Sequence, residues 1–160
     1  MFKFGFIVSI LLIQSCSSPP NDMVAETKNQ NYKYTDDELA LMDMINNYRE
    51  SIGLNNLDTI NHISYLSSQH NIYMIKKHTP SHDGFTQRSN ELIRLFQASK
   101  VSENVAYNYK FNNNVLKAWL ASSGHKVNIE GKFTHFGLSI RVDSINNRKF
   151  YTNIFIKVSK

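Results

Sequence analysis

Residues 136–142 read FGLSIRV and residues 150–158 read FYTNIFIKV, and these two stretches decide the fold. In the first, large apolar side chains alternate with small or polar ones, and the second repeats that alternation. A period of two residues is typical of a β-strand with one buried face. Asn146-Asn147, which lies between the two stretches, suits a hairpin turn. The end of the chain is therefore predicted to form an antiparallel β-hairpin.

Four segments before the hairpin have helical spacing of their apolar residues instead. The first has the strongest start, because Thr35 and Glu38 stand three residues apart as in a capping box, and Gly53 supplies its stop. The second ends at Thr79, since a residue before proline is pushed out of the helical region. The expected bounds, in chain order, are Thr35 to Gly53, Asp58 or Asn61 to Thr79, Glu91 to Ala98, and Asn113 or Asn114 to Gly124. Helices first and a hairpin last predict an α+β domain.

The first residues have the composition of a bacterial export signal. Lys3 supplies a positive charge, residues 4–13 are mostly apolar, and the small Ser15 stands directly before Cys16. The apolar run is far shorter than the ~20 residues that a spanning helix needs. A cysteine at the cleavage point resembles the lipobox of a lipoprotein, whose acyl chains anchor it in a membrane. The alternative is an ordinary secretory signal with an incidental thiol.

These features predict three parts of the chain. We expect a lipoprotein signal peptide at residues 1–15, a flexible tether at residues 16–34 and a folded domain at residues 35–160. Cys16 is the only cysteine, so the mature domain has no intramolecular disulfide and must be stabilised by packing. The expected location is the cell envelope, with the lipid on Cys16 in the membrane and the domain facing the periplasm or the extracellular space.

The charge of the chain does not indicate a nucleic-acid partner. The net charge is +5, and it becomes +4 when residues 1–15, with their one lysine, are removed. The 18 lysine and arginine residues are scattered and do not form a stripe. No nucleic acid is therefore expected among the partners.

Three segments concentrate titratable side chains at expected helix ends and loops. Residues 81–85 read SHDGF, residues 102–106 read SENVA, and residues 118–125 read AWLASSGH, with FTHFG following at residues 133–137. Two histidines and a carboxylate can together hold a divalent metal, act as an acid–base pair or form a hydrogen-bonded cluster. The residues alone leave all three possibilities open.

Taken in order, these segments resemble the CAP superfamily (cysteine-rich secretory proteins, antigen five and pathogenesis-related proteins), and in particular its bacterial branch. The resemblance begins in the first helix, where residues 45–49 read INNYR and Gly53-Leu54 follows. It continues through the His-x-x-Phe, Glu-Asn-Val-Ala and Trp-x-x-Ser-x-Gly-His segments and covers nearly all of residues 38–158. It implies a single CAP-type α-β-α sandwich, in which an antiparallel sheet is flanked by helices and a cleft lies between them.

The resemblance also implies a site. Family members commonly place two histidines and two glutamates in the cleft, and some bind zinc or another divalent ion there. Position by position, His82 matches the first histidine and Glu103 matches the glutamate of the Glu-Asn pair. His125 matches the bacterial Gly-His motif, whereas His135 precedes the strand as a cleft histidine does in eukaryotic members. Cleft residues, and ligands of a metal if one binds, are therefore expected at His82, Glu103, His125 and His135.

Two residues depart from the family pattern. Ser122 stands where eukaryotic members carry the second glutamate, and one fewer carboxylate weakens the case for tight metal binding. Ser102 replaces the glycine that usually precedes the Glu-Asn pair, which would be unfavourable if that position needed a positive φ. For the remaining polar and aromatic candidates, we expect His70 and Trp119 in the core, His62 and His78 facing solvent, and Arg88 in a surface pair with Asp83 or Glu91.

The resemblance, to a family whose members mostly lack a defined reaction, therefore implies a non-enzymatic extracellular binding module that holds a lipid, peptide, glycan or divalent metal in a His/Glu-lined cleft. No cofactor is required by this interpretation, and a divalent metal such as zinc is the one candidate. One alternative is a metal-dependent hydrolase that uses the same cleft. Ser81 is a poor nucleophile for His82 in that case, because adjacent residues on an extended segment point in opposite directions. The other alternative is an adhesive or structural envelope protein whose partner is another protein.

Overall fold

A computed structural model describes residues 31–158. Cys16, the predicted signal peptide and most of the predicted tether lie outside the described residues. The elements, in chain order, are α1 (Asp36–Ser51), β1 (Asp58–Thr59), α2 (Asn61–Lys77), α3 (Phe85–Phe96), β2 (Ala98–Tyr107), α4 (Asn112–Ala121), α5 (Ser123–Ile129), β3 (His135–Val142) and β4 (Lys149–Val158). Within the described range, no helix is long and apolar enough to cross a membrane.

The start of α1 forms as its sequence predicts. The side chain of Thr35 accepts from the Glu38 backbone N–H, and the Glu38 carboxylate accepts in return from the Thr35 N–H at 2.9 Å. The same carboxylate is fully buried and also accepts from the backbone N–H of Ile140 on β3 at 2.8 Å. One glutamate therefore both caps a helix and joins that helix to the sheet.

The sheet has four strands in the order β1-β3-β4-β2. β4 pairs antiparallel with β3 on one side and with β2 on the other, and the predicted terminal hairpin is β3–β4. The two-residue strand β1 pairs parallel with the start of β3. The three long strands are thus antiparallel, and a short parallel strand is added at one edge.

Helices cover both faces of this sheet, which gives three layers. α2 and α3 pack on one face through a cluster that includes Ile63, Leu92 and Ile154. α1, α4 and α5 pack on the other side through a larger cluster that includes Trp119 and Phe155. These two apolar clusters, together with a smaller third one, supply the packing that a chain without disulfides needs.

Gly137 sets how closely α2 approaches the sheet. A Cβ atom at this position would lie 2.6 Å from the Cβ of Ile63 and 2.4 Å from the backbone N of Ser64. Only a residue without a side chain fits that contact, since neither neighbour is the free end of a flexible chain. The side chain of Ser64, in turn, accepts from the Leu138 N–H at 3.1 Å.

Several predicted bounds differ from the structure. The third helix was expected at Glu91–Ala98 but runs from Phe85 to Phe96 and ends at Gln97, which has a φ of 53°. The fourth was expected to run to Gly124, but it stops at Ala121, and a separate α5 begins at Ser123. Strand β2 was not predicted, because its buried residues include the polar pair Glu103 and Asn104 and it lacks a clear alternation.

The last residues of the predicted tether contact the domain. The Tyr32 hydroxyl donates to Glu38 at 2.7 Å, and the Tyr32 ring lies 5.5 Å from the Arg141 guanidinium. The Tyr34 hydroxyl lies 2.8 Å from the hydroxyl of Ser64. The chain therefore enters the domain next to Arg141, near the C-terminal end of β3.

Candidate functional site

Glu103 is the centre of the candidate site. It lies in β2 directly across from Ile154 of β4, which is in turn paired with Gly137 of β3, so its side chain faces the layer formed by α2 and α3. Its side chain is only 1% exposed. A carboxylate that is buried this deeply must be neutralised by nearby groups.

Arg88 supplies most of that neutralisation. Its Nε donates to Oε2 of Glu103 at 2.9 Å and its Nη2 donates to Oε1 at 2.9 Å, which is a bidentate ion pair. Arg88 lies one turn into α3, which starts after Gly84 at a φ of 72°. Its Nη1 also donates to the carbonyl of Asp83 at 2.8 Å, which ties α3 to the preceding loop.

His82 is the second partner of Glu103. Its Nδ1 lies 2.8 Å from Oε1 of Glu103, and because a carboxylate only accepts, Nδ1 carries the proton of this bond. The His82 side chain is 53% exposed, so the ring has one edge on the buried cluster and another in solvent. This bond fixes the orientation of the ring, and the other ring nitrogen, Nε2, does not take part in the bond to Glu103.

His70, on α2, lies beneath this pair. Its Nε2 lies 2.7 Å from the carbonyl of Ser81 and 3.9 Å from Oε1 of Glu103, and its ring stacks on Tyr73. Since the carbonyl of Ser81 only accepts, Nε2 carries the proton and Nδ1 is a buried acceptor without a hydrogen-bond partner in the described chain. Burial, and secondly the positive charge of Arg88, lower the pKa of His70.

His125 approaches the site from α5, which lies against the outer edge of β2. The Asn104 side chain donates to the backbone carbonyl of His125 at 3.1 Å, and Asn128 donates to the Asn104 side chain at 2.8 Å. Asn128 also reaches the backbone carbonyl of Glu103 at 3.4 Å. Burial, and then the nearby His82, lower the pKa of His125. The Glu-Asn pair thus has two roles: Glu103 binds the α2–α3 side and Asn104 binds α5.

His135 lies elsewhere. It is the first residue of β3, where it pairs with Asp58 of β1 and Ile156 of β4, and its Nδ1 lies 2.8 Å from the hydroxyl of Thr134. Among the described residues, no hydrogen bond or ion pair joins it to the other three predicted residues. The structure therefore joins His82 to Glu103 and places His125 with His82 on the lining of one pocket. It does not bring His135 to them.

Two adjoining cavities open beside this cluster. The smaller, which we call the His82 pocket, has a volume of about 210 Å³ and is lined by Pro80, Ser81, His82, Val105 and His125. The larger, which we call the Trp119 groove, has a volume of about 350 Å³ and is lined by Pro80, Val105, Ala106, Tyr107, Tyr109, Ala118, Trp119, Ser122 and His125. Because they share Pro80, Val105 and His125, the two cavities form one continuous concave surface that is lined by both apolar and polar side chains.

The donor set does not fit a tightly held divalent cation. Both oxygens of Glu103 already accept from the Arg88 guanidinium, so a metal would have to displace a buried positive charge. Ser122 leaves the cleft one carboxylate short, and the described residues contain no group of three or more His, Cys, Asp or Glu side chains that could hold a metal ion. Arg88 stands where a bound cation would otherwise balance Glu103.

This geometry corrects the expectations for Arg88 and His62, and it shows that Ser102 does not need a positive φ. Arg88 was expected in a surface pair with Asp83 or Glu91, but its side chain is 11% exposed and pairs with Glu103. His62 was expected to face solvent, but it is buried and bonded to Glu91 at 2.7 Å. Ser102 lies in β2 and is not among the described residues with a positive φ, so replacing glycine there causes no backbone strain.

Arg88 and Asn128 are the residues whose roles sequence reasoning missed. A signal for Arg88 existed, because it lies one turn after the predicted loop at residues 81–85, on the face of α3 that also carries the buried Leu92 and Leu95. Asn128 lies three residues after His125, so both side chains lie on the same face of one helix, and this spacing was the signal that Asn128 belongs to the site. Neither signal identifies the partner, which lies in a different element in both cases.

The lowered pKa of His70 predicts a pH dependence of stability. Its ordinary value is 6.5, so the unfolded chain takes up a proton near that pH while the folded chain does not. The stabilisation from neutral His70 is therefore complete above about pH 7, begins to fall as the pH drops below about 6.5, and is lost as the pH falls through the lower pKa of the folded state. We expect the stability difference between wild type and His70→Gln, measured by urea unfolding, to shrink as the pH is lowered from about 7.5 to below about 6.5. Histidines that do not contact His70 cancel in this difference, and a difference that grows toward acid pH would contradict the prediction.

The fold and the site together define a class of protein: a three-layer α-β-α domain with a His- and Glu-lined cleft beside an edge strand. The family model described as the cysteine-rich secretory protein family, CAP, matches residues 42–155. The chain therefore belongs to the CAP family.

Solved structures of other bacterial proteins have the same fold. An outer surface protein from Borrelia burgdorferi superposes with a TM-score of 0.71 at 21% identity, covering 79% of this chain and 96% of that one. An extracellular protein containing an SCP domain from Bacillus anthracis has a TM-score of 0.64 at 25% identity, covering 88% of this chain and 45% of that one. A cysteine-rich secretory protein from Staphylococcus aureus has a TM-score of 0.63 at 17% identity, over 76% of this chain and 38% of that one. The predicted α-β-α sandwich is confirmed.

One curated relative matches over a short stretch. It is the uncharacterized membrane protein YlbC of Bacillus subtilis, 37% identical over 59 residues. The match covers 36% of this chain and 15% of YlbC. The chain thus spans only a small part of the length of that relative.

Proposed function

We propose that this CAP domain is exported, anchored to the outside of a membrane through lipid on Cys16, and acts as a non-catalytic binding module. The proteins it resembles in structure include one described as an outer surface protein and one described as extracellular, which supports export. The arrangement of Lys3, the apolar residues 4–13 and Ser15-Cys16 supports the lipid anchor.

Detergent phase partition of the wild-type protein and of Cys16→Ala, both expressed in a bacterial host, tests the anchor. We expect the wild type in the detergent phase and the variant in the aqueous phase. If both proteins partition equally into the aqueous phase, only an ordinary secretory signal remains.

One observation carries the assignment of a binding function. The carboxylate of Glu103 is held by two donors of Arg88 and one of His82, so it is a neutralised structural group and not a free base. Directly beside it, the Trp119 groove is open and has the dimensions of a ligand site. The cleft therefore combines a neutralised charged cluster with an open groove that presents both apolar and polar surface.

The lining of the cavities indicates an amphiphilic ligand. Tyr109, Ala118 and Trp119 line the body of the groove, which suits an acyl chain or another extended apolar segment. His82 and His125 lie at the other end, where ring nitrogens can bond a polar or acidic head group. We therefore assign the groove to a lipid-like ligand, with an apolar peptide as the competing occupant.

A groove-filling substitution tests this proposal. Ala118→Leu, in a soluble fragment that starts at Asn21, extends a side chain into the groove and is expected to weaken binding of a fluorescent fatty acid at least about tenfold, or about 1.4 kcal/mol. Ala121→Leu is the matched control, because Ala121 is on the same helix, is exposed and does not line the groove. Thermal melts of both variants establish that they fold. Fatty-acid binding that is absent in the wild type, or equal in the two variants, would contradict the assignment.

A metal-dependent hydrolase is the second candidate function. The observation that favours it is the His82–Glu103 bond, which orients an imidazole as a general base is oriented in many hydrolases. The pairing of Glu103 with Arg88 argues against it, because that pairing opposes both metal binding and proton abstraction by Glu103. Titration of zinc into the wild type and into His82→Ala separates the two candidates, because the hydrolase requires zinc binding that depends on His82.

A further inference from the structure

We propose that the end of the domain at which the described chain begins is a docking surface for a bilayer that contains anionic phospholipid. The surface consists of the loop at residues 108–111 and the β3–β4 turn at residues 142–149, and we call it the docking end. The proposal goes beyond the groove function and uses the proposed lipid anchor only to bring the domain close to a membrane.

Contacts between the two segments establish that they form one surface. The backbone N–H of Asn108 donates to the carbonyl of Lys149 at 2.8 Å, and Arg148 donates to the hydroxyl of Tyr107 at 2.7 Å. Both segments also line a single cavity of about 500 Å³, together with Asp37 from the start of α1. The docking end is therefore a fixed surface and not two unrelated loops.

The docking end carries exposed apolar side chains. Ile145 is 83% exposed, which is the highest value for a large apolar residue in the described range, and Phe111 and Val142 are 57% and 51% exposed. The turn presents Ile145 firmly, because the buried Asp143 accepts from both the Ile145 N–H at 2.9 Å and the Asn146 side chain at 2.8 Å. A rigid turn with an apolar tip suits insertion at the interface of a bilayer.

Positive charges lie beside Phe111 and the adjacent Tyr107. Lys110 lies 5.3 Å from the centre of the Phe111 ring, and Arg148 lies 5.8 Å from that of Tyr107. Lys149 and Lys110 both line the cavity of about 500 Å³. Two carboxylates lie in this region: Asp37 pairs with Lys149 at 2.6 Å, and Asp143 is buried and bonded within the turn. Lys110 and Arg148 are therefore the cations that we assign to lipid phosphate groups. Apolar tips flanked by cations match the composition of an anionic bilayer surface.

The start of the chain supports the same orientation. Tyr32 contacts Arg141, which lies two residues before Asp143 of the turn. The residues that connect Cys16 to this point, about 15 of them, reach at most ~50 Å when fully extended. The connection therefore permits the docking end to touch the bilayer but does not force it, and the exposed side chains must supply the contact.

Hydrogen exchange on a tethered chain tests this inference. The mature chain from Cys16 is coupled through its one thiol to a maleimide phospholipid in vesicles of phosphatidylglycerol and phosphatidylcholine, so that the result does not depend on lipidation in the cell. We expect amide exchange at residues 108–111 and 142–149 to be slower than in the uncoupled chain, and exchange in α5 to be unchanged. The slowing is expected to be lost in Phe111→Glu/Ile145→Glu and reduced on vesicles of phosphatidylcholine alone.

The control is a double variant with the same charge change elsewhere. Ile52→Glu/Val127→Glu alters two apolar residues that lie outside the docking end and are 45% and 59% exposed. This variant is expected to retain the slower amide exchange at the docking end. Three results would overturn the proposal: unchanged exchange at the docking end on anionic vesicles, equal slowing in both double variants, or slowing that occurs only when a partner protein is added. Failure of fatty-acid binding in the groove would leave this result untouched, so the two proposals fail separately.

Discussion

Replacing Arg88 with methionine is expected to lower the free energy of unfolding by about 3–5 kcal/mol, the usual cost of removing one partner of a buried ion pair. The reason is that Glu103, with a side chain that is 1% exposed, would keep a buried negative charge with His82 as its remaining donor. Methionine retains most of the packing of the arginine stem, so the loss reports chiefly the missing charge and hydrogen bonds. Urea unfolding at about pH 7 measures it.

Two further variants separate the charge from other causes. Arg94→Met makes the same substitution at an exposed position of α3 and is expected to change stability little, because surface charges contribute little. Arg88→Met/Glu103→Met removes both charges and is expected to recover much of the lost stability. If the double variant were less stable than Arg88→Met alone, the burial of an unpaired charge would not be the cause.

Replacing Gly137 with alanine is expected to destabilise the domain by about 3 kcal/mol, at the upper end of the usual range for overpacking. The added Cβ would lie 2.4 Å from the backbone N of Ser64 and 2.6 Å from the Cβ of Ile63. These atoms belong to the start of α2, so the helix must move away from the sheet and its apolar contacts must loosen. A thermal melt of the variant against wild type measures the effect.

Gly124→Ala is the matched control for that substitution. A Cβ at Gly124 has open space within 4 Å, and its φ is not in the left-handed region. Because alanine favours a helix over glycine by about 0.5–1 kcal/mol, the control is expected to be as stable as wild type or slightly more stable. An equal loss in both variants would show that the close approach of α2 to β3 is not what Gly137 permits.

The elements that the sequence predicted well are those whose signals are local. The capping box of Thr35 and Glu38 and the alternation in β3 and β4 depend on residues within a few positions of one another. Such patterns fix where an element begins and which face is buried. They sufficed for the α+β class and for the terminal hairpin.

The elements that were missed depend on partners far along the chain. In β2, Glu103 and Asn104 are polar but buried, because Arg88 and the Asn128 side chain satisfy them from α3 and α5. The periodicity of β2 therefore does not resemble that of a half-buried strand. His62 was misplaced for a similar reason, since its burial depends on Glu91, 29 residues away.

The candidate site shows the same division. The motifs predicted a cleft that includes His82, Glu103, His125 and His135. The structure joins His82 to Glu103 and places His125 beside His82, whereas His135 lies elsewhere. The role of Arg88 was not expected, because an arginine near acidic neighbours is usually a surface residue. Its assignment to Glu103 requires the packing of α3 on the sheet. The pairing leaves a neutralised carboxylate beside the groove, where the sequence had left a hydrogen-bonded cluster and a metal site both open.

In this cleft Arg88, and not a bound metal, balances the charge of Glu103. We would test this by calorimetric titration of zinc into the soluble fragment from Asn21, with His82→Ala as the control. We expect no one-to-one binding in the wild type and no difference between the two proteins. One-to-one zinc binding that His82→Ala abolishes would instead establish a metal site at His82, overturn the role of Arg88 and make the hydrolase the leading candidate.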